Sequence, residues 1–169
     1  MNLFDLLHDS HEVQRTLCRQ LTAARASAAT REAVFLQLKV ELEAHAAAEE
    51  RFLYVPLLMT DGGLSASRHA LSEHHDIEEL CEDLSVSDKG TPDWLETAKA
   101  LGHKVRHHLK EEERKFFKVA GRLLSDAQKD LLAWRYQKDV VRMRRKGAEA
   151  FATLEVGKDG RVRLASAEG

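Results

Sequence analysis

Residues 35–56 read FLQLKVELEAHAAAEERFLYVP, and their periodicity decides the fold. Every third or fourth residue falls on one helical face: Phe35, Leu38, Leu42, His45, Glu49, Phe52 and Pro56. Alternating steps of three and four are the seam of a helix packed inside a bundle. Two members of that seam, His45 and Glu49, are ionisable and stand one turn apart at its centre. An imidazole and a carboxylate placed where leucines belong are costly unless a partner or a metal compensates. A lone His-x-x-x-Glu on an Ala- and Glu-rich helix is ordinarily a solvated pair. A second copy argues otherwise.

That copy lies in residues 94–123. Trp94, Ala98, Leu101 and Val105, then Phe116, Val119 and Leu123, keep the same cadence, and His108 and Glu112 fill the gap between them. His107 and Glu111 have the same spacing but share their face with Thr97, Lys104, Arg114 and Lys118. That face is wet. Periodicity therefore selects His108 and Glu112 as the inward pair and leaves His107 at the surface.

Two further helices accompany these. The first, expected over about 2–26, has an inward line of Phe4, Leu7, His11, Cys18 and Leu21, with His8 off it. The third, over about 64–84, turns Leu71, His74, Ile77, Cys81 and Leu84 inward. His75 shares a face with Arg68, Ser72, Glu79 and Glu82, and Glu78 falls at the rim of the inward stripe. The second helix is expected to begin near Thr30 as N-cap and to run to about Met59, with Pro56 bending or tightening its last turn. Thr60-Asp61-Gly62-Gly63 stops it. Thr91-Pro92 starts the fourth helix, which continues to about Leu123. Ser125-Asp126 opens a fifth, to about Lys146, with Leu131, Trp134 and Val141 against the bundle and Arg142–Lys146 as a solvated basic end. Beyond it, Leu154, Val156, Val162 and Leu164 alternate around Gly157-Lys158-Asp159-Gly160, a hairpin signal.

The expected architecture is all-α: an up-down-up-down four-helix bundle over residues 1–124, a C-terminal helix over 125–146 packed on it, and a tail over 147–169 with a hairpin. Charged residues make up 32% of the 169, and the net charge of −2 calls for neither nucleic acid nor an acidic membrane as partner. The opening MNLFDLLHDS lacks the basic and apolar regions of a signal peptide, and two cysteines make no disulfide framework. Both features point to the cytoplasm.

In such a bundle each helix offers one inward histidine: His11, His45, His74 and His108. Helices 2 and 4 add Glu49 and Glu112 one turn further on. Four imidazoles and two carboxylates in a dry core form a ligand set, suited to two cations with the glutamates bridging and the histidines capping in pairs. Imidazole plus carboxylate favours Fe, Mn or Zn over Ca or Mg. A ferritin-like site would want Glu-x-x-His on two helices, and helices 2 and 4 carry none.

Over about residues 2–123 the sequence resembles the hemerythrin-like, or HHE, domain family: LLHDSH, EAHAAAEERFLY, SEHHDIEEL and HHLKEEERKFF follow in order. The resemblance implies a non-haem di-iron centre, two Fe ions with an oxo or hydroxo bridge, with Mn or Zn as alternatives. By position, His11, His45, Glu49, His74, His108 and Glu112 would be its ligands. The chain departs from the family where Tyr54-Val55-Pro56 inserts a residue into an aromatic-Pro step and where Phe117-Lys118 lacks the proline. Oxygen-carrying hemerythrins have a further histidine where this chain has Glu78, so one iron would be more open. The expected function is a di-iron protein that binds, senses or reacts with O2, peroxide or NO, with no pocket evident for anything larger. The alternative is iron handling, repair of iron centres under oxidative or nitrosative stress, or peroxide degradation.

Overall fold

Each long helix but one opens on a side chain that answers its free backbone amides. In the computed structural model, which describes residues 1–166, Asn2 caps α1 (Leu3–Leu21), Ser27 caps α2 (Ala28–Glu49) and Thr91 caps α5 (Pro92–Glu111). Ser125 forms a capping box with Gln128 at the start of α7 (Asp126–Glu149). The expected cap at Thr30 is corrected: Ser27 Oγ accepts from the Thr30 amide at 3.2 Å, so Thr30 already lies inside the helix. The turn at residues 60–63 leads into α4 (Leu64–Val86).

Neither His-x-x-x-Glu helix is uniformly α. After α2 the chain widens into a π-helical stretch, Glu50–Tyr54, and then resumes as α3 (Val55–Leu58). After α5 the same happens over Glu112–Phe116 before α6 (Phe117–Leu123). In both, the residue after the stretch bonds five residues back, Val55 N–H to Glu50 O and Phe117 N–H to Glu112 O. Each stretch absorbs one extra residue and slips the seam by one position. So Leu53, Tyr54 and Leu57 are buried where the even cadence expected Phe52 and Pro56, and Ala120 and Leu124 where it expected Val119 and Leu123. A proline is not required for the irregularity: Pro56 stands two residues beyond the first stretch, and the second has none near it.

The bundle ring runs α1, α2, α4, α5 and back to α1, with the contact between α2 and α4 the sparsest of the four. Two apolar clusters fill its ends. One holds Leu3, Leu7, Leu53, Leu57, Phe116 and Ala120, the other Leu17, Leu21, Phe35, Leu38, Trp94 and Leu101. The ionisable layer lies between two dry ones.

Helix α7 lies along α2, and of the three residues its sequence pattern offered only Val141 packs against the core. Leu132, Ala133, Tyr136 and Val140 are buried, while Leu131 and Trp134 are 47% and 54% exposed. The basic end is also not uniformly solvated. Arg144 is buried and donates twice to Glu41, at 2.8 and 2.6 Å, and once to the Gly160 carbonyl. That last bond fastens the hairpin, in which β1 (Leu154–Val156) pairs antiparallel with β2 (Val162–Leu164). Gly160 turns with φ 77°, and a Cβ there would meet Val141 Cγ2 at 2.7 Å, so glycine is required on both counts. Leu154 packs on Val40 and Ala148, which docks the hairpin on α2 and α7. The last three residues of the expected tail, 167–169, lie outside the described residues. Among the described residues no helix is long and apolar enough to cross a membrane.

Candidate metal centre

The six predicted residues converge. His11, His45, Glu49, His74, His108 and Glu112 are all buried in the layer between the two apolar clusters. Their donor atoms fall into two overlapping groups: Glu49, His74, His108 and Glu112, and His11, His45 and Glu49. Glu49 belongs to both. In the first group, His108 Nε2 lies 3.1 Å from Glu112 Oε2 and 3.1 Å from His74 Nε2, and His74 Nε2 lies 3.5 Å from Glu49 Oε2. In the second, His45 Nε2 lies 3.1 Å from Glu49 Oε2. His11 Nε2 lies 3.7 Å from the other oxygen of Glu112, so that glutamate also faces both groups. Two donors that share one ion at ordinary Zn–N or Zn–O lengths stand about 3.0–3.5 Å apart. These separations fit.

The hydrogen-bond accounting points the same way. His11 Nε2, His45 Nε2, both carboxylate oxygens of Glu49 and Glu112 Oε1 are buried with no hydrogen-bond partner. Buried polar atoms are rarely left unpaired, and here five of them face one small volume. A cation is the partner whose chemistry suits nitrogens and carboxylate oxygens together.

Outside this cluster every histidine is held by its other nitrogen. His11 Nδ1–H donates to Glu113 Oε1 at 2.8 Å, His74 to Glu50 Oε1 at 3.0 Å and His108 to Glu73 Oε1 at 3.3 Å. An ionised carboxylate can only accept, so Nδ1 carries a proton, and Nε2 is the inward atom that a bound cation would take up. His45 uses the Tyr136 hydroxyl from α7, at 2.8 Å. Tyr54 donates to Glu112 Oε2 at 2.5 Å and lies 3.4 Å from His74 Nε2. Sequence reasoning missed Glu50, Glu73, Glu113, Tyr54 and Tyr136. One signal was available: each seam glutamate is followed directly by a second, Glu49-Glu50 and Glu112-Glu113, and that second residue reaches a neighbouring helix.

These contacts set the charges. Burial pushes the Glu49 carboxyl up, but His45 and then His74 outweigh it and hold it well below the usual range. Burial lowers His108, yet Glu112 and Glu73 raise it to about 10. Burial, followed by the charges of Glu112 and Glu49, pushes the Tyr54 phenol far up, so it remains a donor. Burial likewise lifts Cys18 to about 11 and Cys81 to about 12; both are free thiols.

The neighbours expected at the surface are there. The side chains of His75 and His107 are 68% and 61% exposed. Glu78 is exposed too, on the rim of a cavity of about 420 Å³ that opens where α2 and α4 barely touch. Leu42, Ala46, Leu71 and Ile77 wall it, and His45 and His74 lie at its inner end. A volume of that size admits more than a diatomic, which corrects the expectation that nothing larger could be received.

Fold and site together define a four-helix cation-binding bundle. Residues 2–120 match the family described as Hemerythrin HHE cation binding domain, and the chain belongs to it. Its fold is that of the crystal structure of a hemerythrin HHE cation binding domain-containing protein from Mycobacterium kansasii. The TM-score is 0.75 at 23% identity, over 85% of this chain and 88% of that one. A protein of Nostoc sp. (strain PCC 7120 / SAG 25.82 / UTEX 2576) named DNA nickase is 25% identical over 137 residues. That match takes in 81% of this chain but 38% of the relative, so the chain spans well under half of that protein's length.

Proposed function

We propose that the chain is a non-haem di-iron protein in which His11, His45, Glu49, His74, His108 and Glu112 hold two iron ions, and that it binds, senses or reacts with O2, peroxide or NO. The observation that carries this reading is the set of five unpartnered buried donor atoms shared by two overlapping groups. Bound iron would supply a redox-active Lewis acid for a small ligand. The chain's own residues supply the rest. Glu113, Tyr136, Glu50 and Glu73 fix the imidazoles, the apolar cavity walls limit water, and Tyr54 presents a proton beside Glu112.

Reaction is better supported than stable oxygen carriage, because Glu78 sits exposed at the cavity rim and belongs to neither donor group. A nucleic-acid role, which the relative's name raises, has less support in the basic run of α7. Arg142 is paired with Asp139 and Arg144 is buried against Glu41.

Metal analysis of freshly purified protein should find about two irons per chain, with near-ultraviolet charge-transfer bands that azide or peroxide shifts. Protein that folds without metal and gains no stability on iron loading would refute the centre. Iron bands indifferent to every small ligand would refute the proposed chemistry alone.

A further inference from the structure

The His-x-x-x-Glu spacing recurs at His69–Glu73 and His107–Glu111, and the fold brings these two pairs together outside the buried cluster. His69 and Glu73 lie on α4, His107 and Glu111 on α5. His69 Nε2 stands 3.2 Å from Glu73 Oε1 and 3.2 Å from Glu111 Oε2. One donor atom from each of these three residues lies within 4.8 Å of the other two. His107 Nδ1 is close behind, 3.6 Å from Glu73 Oε2 and 4.0 Å from Glu111 Oε2.

The nearby ammonium groups leave the inner oxygens to His69. Lys115 takes Glu111 Oε1 at 3.2 Å, and Lys104 prefers Asp76 at 3.0 Å to Glu73 Oε2 at 3.9 Å. Glu73 Oε1 and Glu111 Oε2 therefore converge on a single exposed imidazole. Their distances to His69 Nε2, 3.2 Å each, match the roughly 3.0–3.5 Å edges of a coordination shell with bonds of ordinary length. Glu73 is 5% exposed, and its Oε1 also accepts from His108 Nδ1 at 3.3 Å, which holds that carboxylate in place between the two histidines. A crevice of about 90 Å³ lined by His69, Glu73 and Glu111 continues inward to His108 and Glu112.

We propose that His69, Glu73 and Glu111, with His107 in reach, form a second divalent-cation site at the surface, and that a cation such as Fe2+ or Zn2+ is held there on its way to the buried cluster. Two imidazoles with two carboxylates suit the borderline divalent metals rather than Ca2+ or Mg2+. The site stands on its own geometry, whereas the passage inward rests on the buried cluster being the metal centre.

The test titrates Zn2+ into full-length protein by equilibrium dialysis, comparing wild type with His69→Gln and Glu111→Gln, both changes on the surface side of the helices. Wild type should bind one equivalent more than either variant, a difference that persists even where the buried cluster holds nothing. Equal stoichiometry in all three proteins, or extra zinc taken up at millimolar concentration only, overturns the site. Fe2+ uptake by metal-depleted protein should then be several-fold slower in the variants at unchanged final occupancy, and equal rates overturn the passage. Failure of all three proteins to take iron would refute the buried centre instead, while the zinc difference still decides the surface site.

Discussion

Replacing Glu113 by Gln should weaken metal binding without touching a proposed ligand. The Glu113 carboxylate accepts from His11 Nδ1–H at 2.8 Å and from both Arg15 amino groups, at 3.0 and 2.8 Å. Glutamine keeps the length of the side chain, but it must offer its oxygen to His11 and turn its amide protons toward Arg15, or do the reverse. Either choice loses the charge that makes His11 Nε2 a better electron-pair donor. Losing such an outer partner costs about 10–100-fold in metal affinity, or roughly 1.4–2.8 kcal/mol. The effect should be constant above about pH 5. Burial raises the Glu113 carboxyl, but His11 and Arg15 bring it down to about 2, so it is ionised across that range. Glu50→Gln should cost less, because Glu50 is 38% exposed on its side chain and holds His74 by one 3.0 Å contact. Chelator competition with Co2+ or Zn2+ measures the ranking, with exposed Glu78→Gln as the control. Affinity in Glu113→Gln within a factor of about two of wild type would refute the outer-partner reasoning, as would an equal loss in Glu78→Gln.

Other substitutions separate neighbours on the same helices. His74→Ala and His108→Ala should lower iron occupancy, while His75→Ala and His107→Ala leave the final content of the buried centre unchanged; metal analysis of the four proteins decides. The stability of the metal-depleted protein should fall from pH 7 to 10. His108 is raised to about 10 in the fold, so its contribution is complete below the unfolded value of about 6.5 and is lost as pH rises through the folded one. A melting series that stays flat over that range would contradict it. Cys18 and Cys81, with thiols raised to about 11 and 12, should be alkylated far more slowly at pH 8 in the native protein than in urea. Arg144→Ala should cost about 3–5 kcal/mol by leaving buried Glu41 with the Ser10 hydroxyl but no counter-charge. Denaturant melts would show it, and the absorption spectrum should not change.

Most of the candidate site was legible because its residues violate the seam they sit on. His45, Glu49, His108 and Glu112 interrupt two clean apolar stripes, and that pattern needs no tertiary information. The facing of His74 against His75, and of His108 against His107, followed from the company each keeps. What stayed hidden depends on helix geometry that no even period encodes. The π-helical stretches after Glu49 and at Glu112 slip each seam by one residue, which buries Tyr54 and brings its hydroxyl to Glu112. The inward face of α7 was misread for another reason. Leu131 and Trp134 are its more apolar members, yet the buried line contains Tyr136, Asp139 and Arg144, each answered by a partner on another helix.

The two halves of the site are built alike and finished differently. His45-x-x-x-Glu49-Glu50 and His108-x-x-x-Glu112-Glu113 occupy matching positions, each running into a π-helical stretch, and each second glutamate holds the histidine of a neighbouring helix. Five residues after each seam glutamate stands an aromatic ring beside that histidine: Tyr54 at 5.2 Å from His74, and Phe117 at 5.8 Å from His11. Only the first carries a hydroxyl, and the cavity reaches His45, His74 and His108 but not His11. The phenol proton, the open cavity and the His74–His108 pair therefore share one side of the centre, while His11 faces a closed wall with its carboxylate locked by Arg15. A small ligand reaching the centre through this cavity would meet the His74–His108 side, with His45 at its edge, while His11 stands closed off from it. Tyr54→Phe should therefore change the reaction with peroxide and leave the metal content alone. An equal loss of metal in that variant would mean that the hydroxyl supports the ligand shell rather than the chemistry.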